Sequence, residues 1–354
     1  LPEGEVTTEG EDPRNFIENG VVSCFTGCPY EEDPYYYVFA ENVSFLISLD
    51  EIAGSLASAG YGLSSTLRDS ALMVHGLHSR PLSRLVDQGE LTVWTGGDYG
   101  RSEDASSRVM EVGVGYRFDP VQINVSIGEI RQRDDLTQGG KVSGDSQFTY
   151  VEGIAPIPGA DGLHAVVGAF YQRGELDVRR GYQFGAQRDY SYGSPDTDGW
   201  GVRARAEWLD FAELAGVRLS PFVDASHRRV KMDGYAERGG AAPADFDSLE
   251  DGVTELRFGS NAAYRIVGTG LEAIALGELV HRFDERATGV SGGLQNGLLN
   301  SFELEGQEYD QTWARAGVGL EGEIGIGSVS LMLNGTTEGE APSAWVSANY
   351  QVRF

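Results

Sequence analysis

Ala344-Trp345-Val346-Ser347-Ala348-Asn349-Tyr350-Gln351-Val352-Arg353-Phe354 closes the chain, and it alternates without a break. Successive side chains of an extended strand point to opposite faces, so Val346, Ala348, Tyr350, Val352 and Phe354 share one side. Trp345, Ser347, Asn349, Gln351 and Arg353 share the other. A strand with one continuous apolar face and one polar face sits between two different media. A tilted strand crosses a bilayer in about 9 to 11 residues, and bare backbone survives in lipid only when every strand is paired in a closed barrel. The stretch therefore reads as one spanning strand of a membrane β-barrel.

The same period of two runs upstream. Segments near 91–100, 107–118, 121–133, 142–155, 163–179, 198–209, 216–232, 252–266, 270–284, 310–323, 326–338 and 341–354 repeat it, which makes about twelve strands, an even number. The connections alternate in length. Asp119-Pro120, 156–162, 210–215, 267–268 and Ile324-Gly325 are short, whereas 101–106, 134–141, 181–196, 233–251 and 285–309 are longer and polar. Short turns on the periplasmic side and long loops outside are the pattern of an outer-membrane barrel.

Individual strands tell lipid from lumen. Met110, Val112, Val114, Tyr116 and Phe118 alternate with Glu111, Gly113, Gly115 and Arg117. Trp200, Val202, Ala204, Ala206 and Trp208 alternate with Arg203, Arg205 and Glu207. Ala314, Ala316, Val318 and Leu320 alternate with Arg315, Gly317, Gly319 and Glu321. A Lys or Arg on the lipid face near the midplane costs roughly 2–4 kcal/mol, so Glu111, Arg117, Arg203, Arg205, Glu207, Arg315 and Glu321 are expected to face the lumen. Trp200 and Trp208 are placed to mark the two bilayer interfaces.

Composition agrees. The 354 residues include 49 Gly, 16 Tyr, 15 Phe and 5 Trp against 4 Met, a mixture suited to glycine-spaced strands. Mean hydropathy is -0.27. No apolar run approaches the roughly 18–20 residues of a membrane helix. A formal charge of -27 excludes nucleic acid as a partner. Cys24 and Cys28 sit four apart with no histidine near them, and are expected to close a small disulfide loop in an oxidising compartment. No cofactor is called for.

Residues 1–42 are acidic and turn-rich, and read as a linker or the remnant of an upstream domain; Tyr35-Tyr36-Tyr37-Val38-Phe39 within them suits a short strand or plug element. The chain starts at Leu1 without a secretory signal, so an upstream segment is expected. From 43 to 80, Leu46, Leu49, Ile52, Ala53, Leu56, Ala59, Leu63, Leu67, Ala71 and Val74 recur at helical spacing until Pro81, with Gly54, Gly60 and Gly62 marking a break. The later half is slim and mostly polar. The expected division is 1–42 linker, 43–88 helix and lead-in, 89–354 barrel.

Motifs that suggest chemistry are weak. Gly289-Val290-Ser291-Gly292-Gly293 matches G-x-S-x-G but falls in a long outer loop without the strand-to-helix turn that motif needs. Gly144-Asp145-Ser146 reads as a turn. His75 and His78 form an H-x-x-H pair without a third ligand nearby.

Thr66-Leu67-Arg68-Asp69 leading into His75-Gly76-Leu77-His78-Ser79-Arg80-Pro81-Leu82-Ser83-Arg84, then Leu91-Thr92-Val93-Trp94, Leu219-Ser220-Pro221-Phe222-Val223-Asp224 and Arg315-Ala316-Gly317-Val318-Gly319-Leu320-Glu321-Gly322 resemble the translocator domain of classical (type Va) autotransporters. The likeness spans 43–354. It implies an all-β membrane protein: a twelve-stranded antiparallel transmembrane barrel with an N-terminal α-helix in the pore, leading out to a passenger domain. Such a lumen is wider than its own side chains fill. Ser64, Ser65, Arg68, Asp69 and Ser70 of the helix are then expected to pair with the lumenal charges. Tyr350, Val352 and Phe354 resemble the terminal signal read by the barrel-assembly machinery. The other implied partners are the chain's own passenger and the lipid and lipopolysaccharide of the outer membrane. Some relatives cut themselves at an asparagine pair; Asn42 in Glu41-Asn42-Val43-Ser44 has no asparagine neighbour, so that cleavage is not expected. Two other readings compete, an outer-membrane channel with an N-terminal plug and a barrel enzyme, for which no convincing Ser/His or Asp/His group is visible.

Overall fold

A computed structural model describes residues 16–18, 21–23, 35–40, 43–102, 104–184, 187–296, 299–337, 339 and 342–354. Twelve long strands form the wall: β1 (Leu91–Arg101), β2 (Ala105–Arg117), β3 (Gln122–Asp135), β4 (Lys141–Pro156), β5 (Leu163–Phe184), β6 (Asp196–Trp208), β7 (Val217–Met232), β8 (Leu249–Ile266), β9 (Leu271–Arg282), β10 (Thr312–Ile324), β11 (Gly327–Thr336) and β12 (Ala344–Arg353). Each pairs antiparallel with the next, and β12 pairs with β1, so the sheet closes on itself and leaves no edge in lipid. At the seam Tyr350 lies opposite Thr95 and Val346 opposite Tyr99. Phe354 and Leu91 exchange backbone hydrogen bonds of 2.8 and 3.0 Å.

Alternation sorts the side chains as the apolar pattern requires. Met110, Val112, Val114 and Tyr116 of β2, and Phe118 just past its end, are exposed on the outer surface, while Glu111 is buried within. Trp200 and Trp208 are both exposed on β6. Eight residues at about 3.3 Å each separate them by about 26 Å along the strand, which at a tilt of about 40° covers about 20 Å of the roughly 25 Å height of a barrel's apolar band. Inside, aromatic rings cover glycines directly across the ladder: Trp94 over Gly113, Phe148 over Gly128, Phe170 over Gly201 and Phe222 over Gly259. A Cβ at any of these glycines would enter the ring, which accounts for the joint abundance of glycine and aromatics.

Two helices precede the wall, α1 (Leu49–Ser58) and α2 (Tyr61–His75), separated at Gly60, where a Cβ would overlap Val290. The helix is shorter at both ends than its periodicity suggests. Val43–Ser48 is a strand paired with Tyr35–Ala40, because Val-Ser-Phe-Leu-Ile-Ser is rich in strand formers and an apolar run so short fits either period. At the other end α2 stops at His75, ahead of Pro81, and Leu77–Ser79 and Pro81–Arg84 continue as tight 3₁₀ turns. Gly144-Asp145-Ser146 lies inside β4 and is not a turn.

Several strands run on past the apolar band at the end carrying the long connections. There Tyr235–Ala236, Ala244–Phe246, Val290–Leu294 and Phe302–Leu304 build a small outer sheet, which Phe16–Glu18 and Val21–Ser23 extend. The G-x-S-x-G glycines are edge-approach positions of this sheet, and Ser291 donates to Asp247 at 2.7 Å. Cys24, Cys28, Glu41 and Asn42 lie outside the described residues.

Candidate functional site in the barrel lumen

The lumen holds α1, α2 and the two 3₁₀ turns, stacked in three layers. In the outer layer Ile52, Leu56, Ala59, Leu63 and Leu67, one stripe of the helices, are buried against Val142, Leu176, Val178, Val230, Met232, Phe246 and Val290. This apolar collar was not anticipated from a helix read as slim and polar. Gly62 allows the approach, since a Cβ there would stand 3.0 Å from Leu176. Tyr309, in the long connection after β9, donates to Asp251 at 2.5 Å, and burial raises its phenol above the ordinary value.

The middle layer is polar. Asp134 of β3 accepts from Ser65 and, at 2.7 Å, from Arg68. Ser107 of β2 donates to Asp69 at 2.5 Å, and Gln132 donates to Thr66 at 2.9 Å. Ser70 turns back to the Leu67 carbonyl at 2.6 Å, and Ser64 is half-buried.

The lower layer clamps the end of α2. Arg203 donates to the carbonyls of Val74 (3.1 Å) and His78 (2.7 Å), and Asp224 holds its guanidinium at 2.7 Å. A cation at a helix C-terminus satisfies orphan carbonyls and opposes the negative end of the dipole. Gly76 makes the turn: a Cβ there would overlap Asp98, whose carboxylate accepts the Leu77 N–H at 3.0 Å and the Ser347 hydroxyl. His78 bridges Arg84 (2.7 Å to Nδ1) and Glu111 (2.9 Å to Nε2). An arginine only donates, so Nδ1 accepts and Nε2 carries the proton given to Glu111. Glu111 also accepts from Trp94 (2.7 Å) and Ser126 (3.0 Å). Arg80 reaches Glu321 at 2.9 Å, and Arg117 donates to the Val86 carbonyl at 2.7 Å.

All seven anticipated wall charges thus lie in or at the rim of the lumen, but their partners differ from those expected. None pairs with Ser64, Ser65, Arg68, Asp69 or Ser70. Those side chains stand higher, opposite Ser107, Gln132 and Asp134, whereas Glu111, Arg117, Arg203 and Glu321 meet residues 74–86. Arg205 pairs with Glu207 (2.6 Å), and Arg315 with Glu278 (3.2 Å) and Asn334 (3.2 Å), entirely within the wall. The offset is one of vertical register, which alternation cannot supply. Asp134 was missed because it was assigned to a loop; continuing the even-numbered polar set Gln122, Asn124, Ser126 of β3 would have pointed it inward. His75 contacts Ser226 at 3.2 Å, away from His78, so the H-x-x-H pair does not converge. Among the described residues no three metal-ligating side chains gather.

A closed barrel with an apolar outer band, short turns at one end, long loops at the other and its own N-terminal helix filling the pore is a plugged outer-membrane barrel of Gram-negative type. Residues 88–336 match the family described as Autotransporter beta-domain, and the chain belongs to that family. It functions as an outer-membrane translocator domain, and the channel reading is not favoured. The structure is similar to the translocator domain of autotransporter NalP from Neisseria meningitidis, with a TM-score of 0.64 at 15% identity over 84% of this chain and 99% of that one. Among curated proteins, an uncharacterized protein in the trpE-trpG intergenic region of Pseudomonas putida is 27% identical over 213 residues, 58% of this chain and 35% of that protein. Esterase EstA of Pseudomonas aeruginosa is 27% identical over 153 residues, 42% of this chain and 23% of the esterase. The chain therefore spans only about a third or less of these relatives' length.

Proposed function

We propose that this barrel anchors a passenger joined N-terminal to it and supports that passenger's export to the cell surface, with residues 1–42 as the linker and 43–88 as the segment left in the pore. One observation carries the reading. The chain comes in at the end bearing the long loops, descends through the lumen as α1 and α2, is clamped by Arg203 at its lower end and only then enters the wall at Leu91. A polypeptide arranged this way has its upstream portion outside. The barrel's own part is mechanical: it supplies a lined passage and a seat, and any catalytic chemistry belongs to the passenger. Tyr350, Val352 and Phe354 serve as the signal for the barrel-assembly machinery, and lipid with lipopolysaccharide surrounds the apolar band. Cys24 and Cys28 close a small disulfide loop in the linker.

Fusing a reporter domain ahead of Leu1 behind a secretory signal tests this. Antibody against the reporter should label intact Gram-negative cells. Labelling only after the outer membrane is permeabilised would reject the proposal.

A further inference from the structure

At the outer end of β1–β3 four arginines gather on the lipid-facing surface. Tyr99 and Arg101 of β1, Arg108 of β2, and Arg131 and Arg133 of β3 are exposed. The register sets Tyr99 opposite Arg108, Arg108 opposite Arg131, and Arg101 and Arg133 on either side of Ser106. Cross-strand neighbours of like charge are destabilising, with Cβ atoms only about 5 Å apart. A chain of net charge -27 has acidic residues in plenty to relieve this. Among the described residues it does so for Arg131 alone, which meets Glu129 and, at 2.9 Å, Asp145. Arg108 donates to the Met110 sulfur at 2.7 Å, a weak acceptor, and among the described residues no ion pair forms at Arg101 or Arg133.

Directly beneath, on the same face, lie the exposed Met110, Val112, Val114, Val125 and Ile127. Next to one another are thus a wall for acyl chains and a fork of guanidinium donors at its upper border. Guanidinium groups match phosphate oxygens bidentately, and the stems of arginines at an interface lie along apolar surface.

We propose that Arg101, Arg108 and Arg133 form a binding site for the phosphorylated headgroup of an outer-leaflet lipid whose acyl chains lie on β2 and β3. The site rests on the barrel's placement in the outer membrane with its long loops outward. A free anion would use the arginines but not the apolar wall below, so the occupant is a lipid. It gives Arg108, and Arg101 and Arg133 on either side of Ser106, the anionic partner that Arg131 already has in Glu129 and Asp145, and it covers the face of the barrel next to the seam strand β1.

The test uses the full 354-residue chain folded in detergent, with bound lipid counted by native mass spectrometry. The probes are bisphosphorylated lipid A, the same lipid without phosphates, and inorganic phosphate. Hydrogen bonds to charged groups are each worth about tenfold in affinity. Lipid A should therefore bind at least about tenfold more tightly than its dephosphorylated form, and an R101Q/R108Q/R133Q variant should lose that margin. The corresponding triple lysine variant should lose less, and Arg265→Gln, exposed at the far end of β8, should lose nothing. Heat-modifiable gel migration verifies that each variant is folded. Equal binding of lipid A by the glutamine triple variant, equal binding of dephosphorylated lipid, or displacement of lipid A by equimolar inorganic phosphate would each overturn the site. The outcome separates from the function above. A chain that displays its reporter yet binds no lipid A refutes the site alone, and one that binds lipid A yet displays nothing refutes export alone.

Discussion

Arg203 and Arg205 are neighbours on the same lumenal face of β6, yet they ought to differ sharply in what they hold. Arg203 joins wall to helix: its guanidinium is on Asp224 and on the carbonyls of Val74 and His78. Arg205 joins wall to wall, through Glu207 at 2.6 Å and Asp224 at 3.6 Å, with its guanidinium 3.5 Å from the Phe222 ring centre. Replacing either by Met strips a cation from buried carboxylates and weakens the wall. Only Arg203→Met also leaves two carbonyls at the helix end without their donor. A hydrogen bond involving a charged group contributes about 1.5–3 kcal/mol, and taking the lower end for both, because water enters a lumen, gives about 3 kcal/mol. At about 1.4 kcal/mol per tenfold, the population with the helix unseated should rise about a hundredfold. Single-channel recording in planar bilayers reads this as open probability. Arg203→Met should flicker open far more often than the parent, while Arg205→Met, folded and inserted, should stay close to it. Equal opening in the two variants, or none in either, would refute the assignment of Arg203 as the clamp.

Other consequences are local. Asp134→Ala removes the shared acceptor of Ser65 and Arg68 and should loosen residues 61–70 by about 1–3 kcal/mol, read as faster amide exchange there with β6–β10 unchanged. Gly76→Ala drives a methyl into the Asp98 carboxylate and the Leu72 carbonyl, so the urea midpoint of the lumenal helix should fall by the equivalent of about 1–3 kcal/mol. On the outer face Val112→Arg, mid-strand and 53% exposed, should cost about 2–4 kcal/mol in reversible folding into lipid vesicles, whereas Phe118→Arg at the strand end should cost about 1 kcal/mol or less.

The wall was legible because it rests on a period of two. Each of the twelve segments read from alternation overlaps a strand, and the inward charges of β2, β6 and β10 follow from the same parity. Parity says nothing of height, however. It put Arg203 in the lumen, where the family resemblance put Arg68, without showing that Arg68 stands opposite Asp134 and Arg203 meets the chain further on, at Val74 and His78. Val43–Ser48 was misread because six apolar-rich residues satisfy either period. The collar around Leu56, Leu63 and Leu67 was hidden for a different reason: the upper ends of β4, β5 and β7 supply only part of it, through Val142, Leu176, Val178, Val230 and Met232, and the rest comes from the connections between β7 and β10, which folding alone brings over the helix as Phe246, Val290 and Leu299. His78 and Glu111 were visible as residue types, but their contact depends on the 3₁₀ turns after α2, which put an arginine and a histidine from the same short segment against β2.

The central claim is directional: the chain upstream of α1 is outside, and α1 and α2 fill the pore. Intact cells carrying the reporter fusion can be treated with a broad protease and the surviving barrel fragment weighed. The account predicts that trimming removes the reporter and stops ahead of Leu49, with 49–354 protected until the outer membrane is broken. Survival of the whole fusion on intact cells, or trimming that continues through α2 to the start of β1, would contradict it.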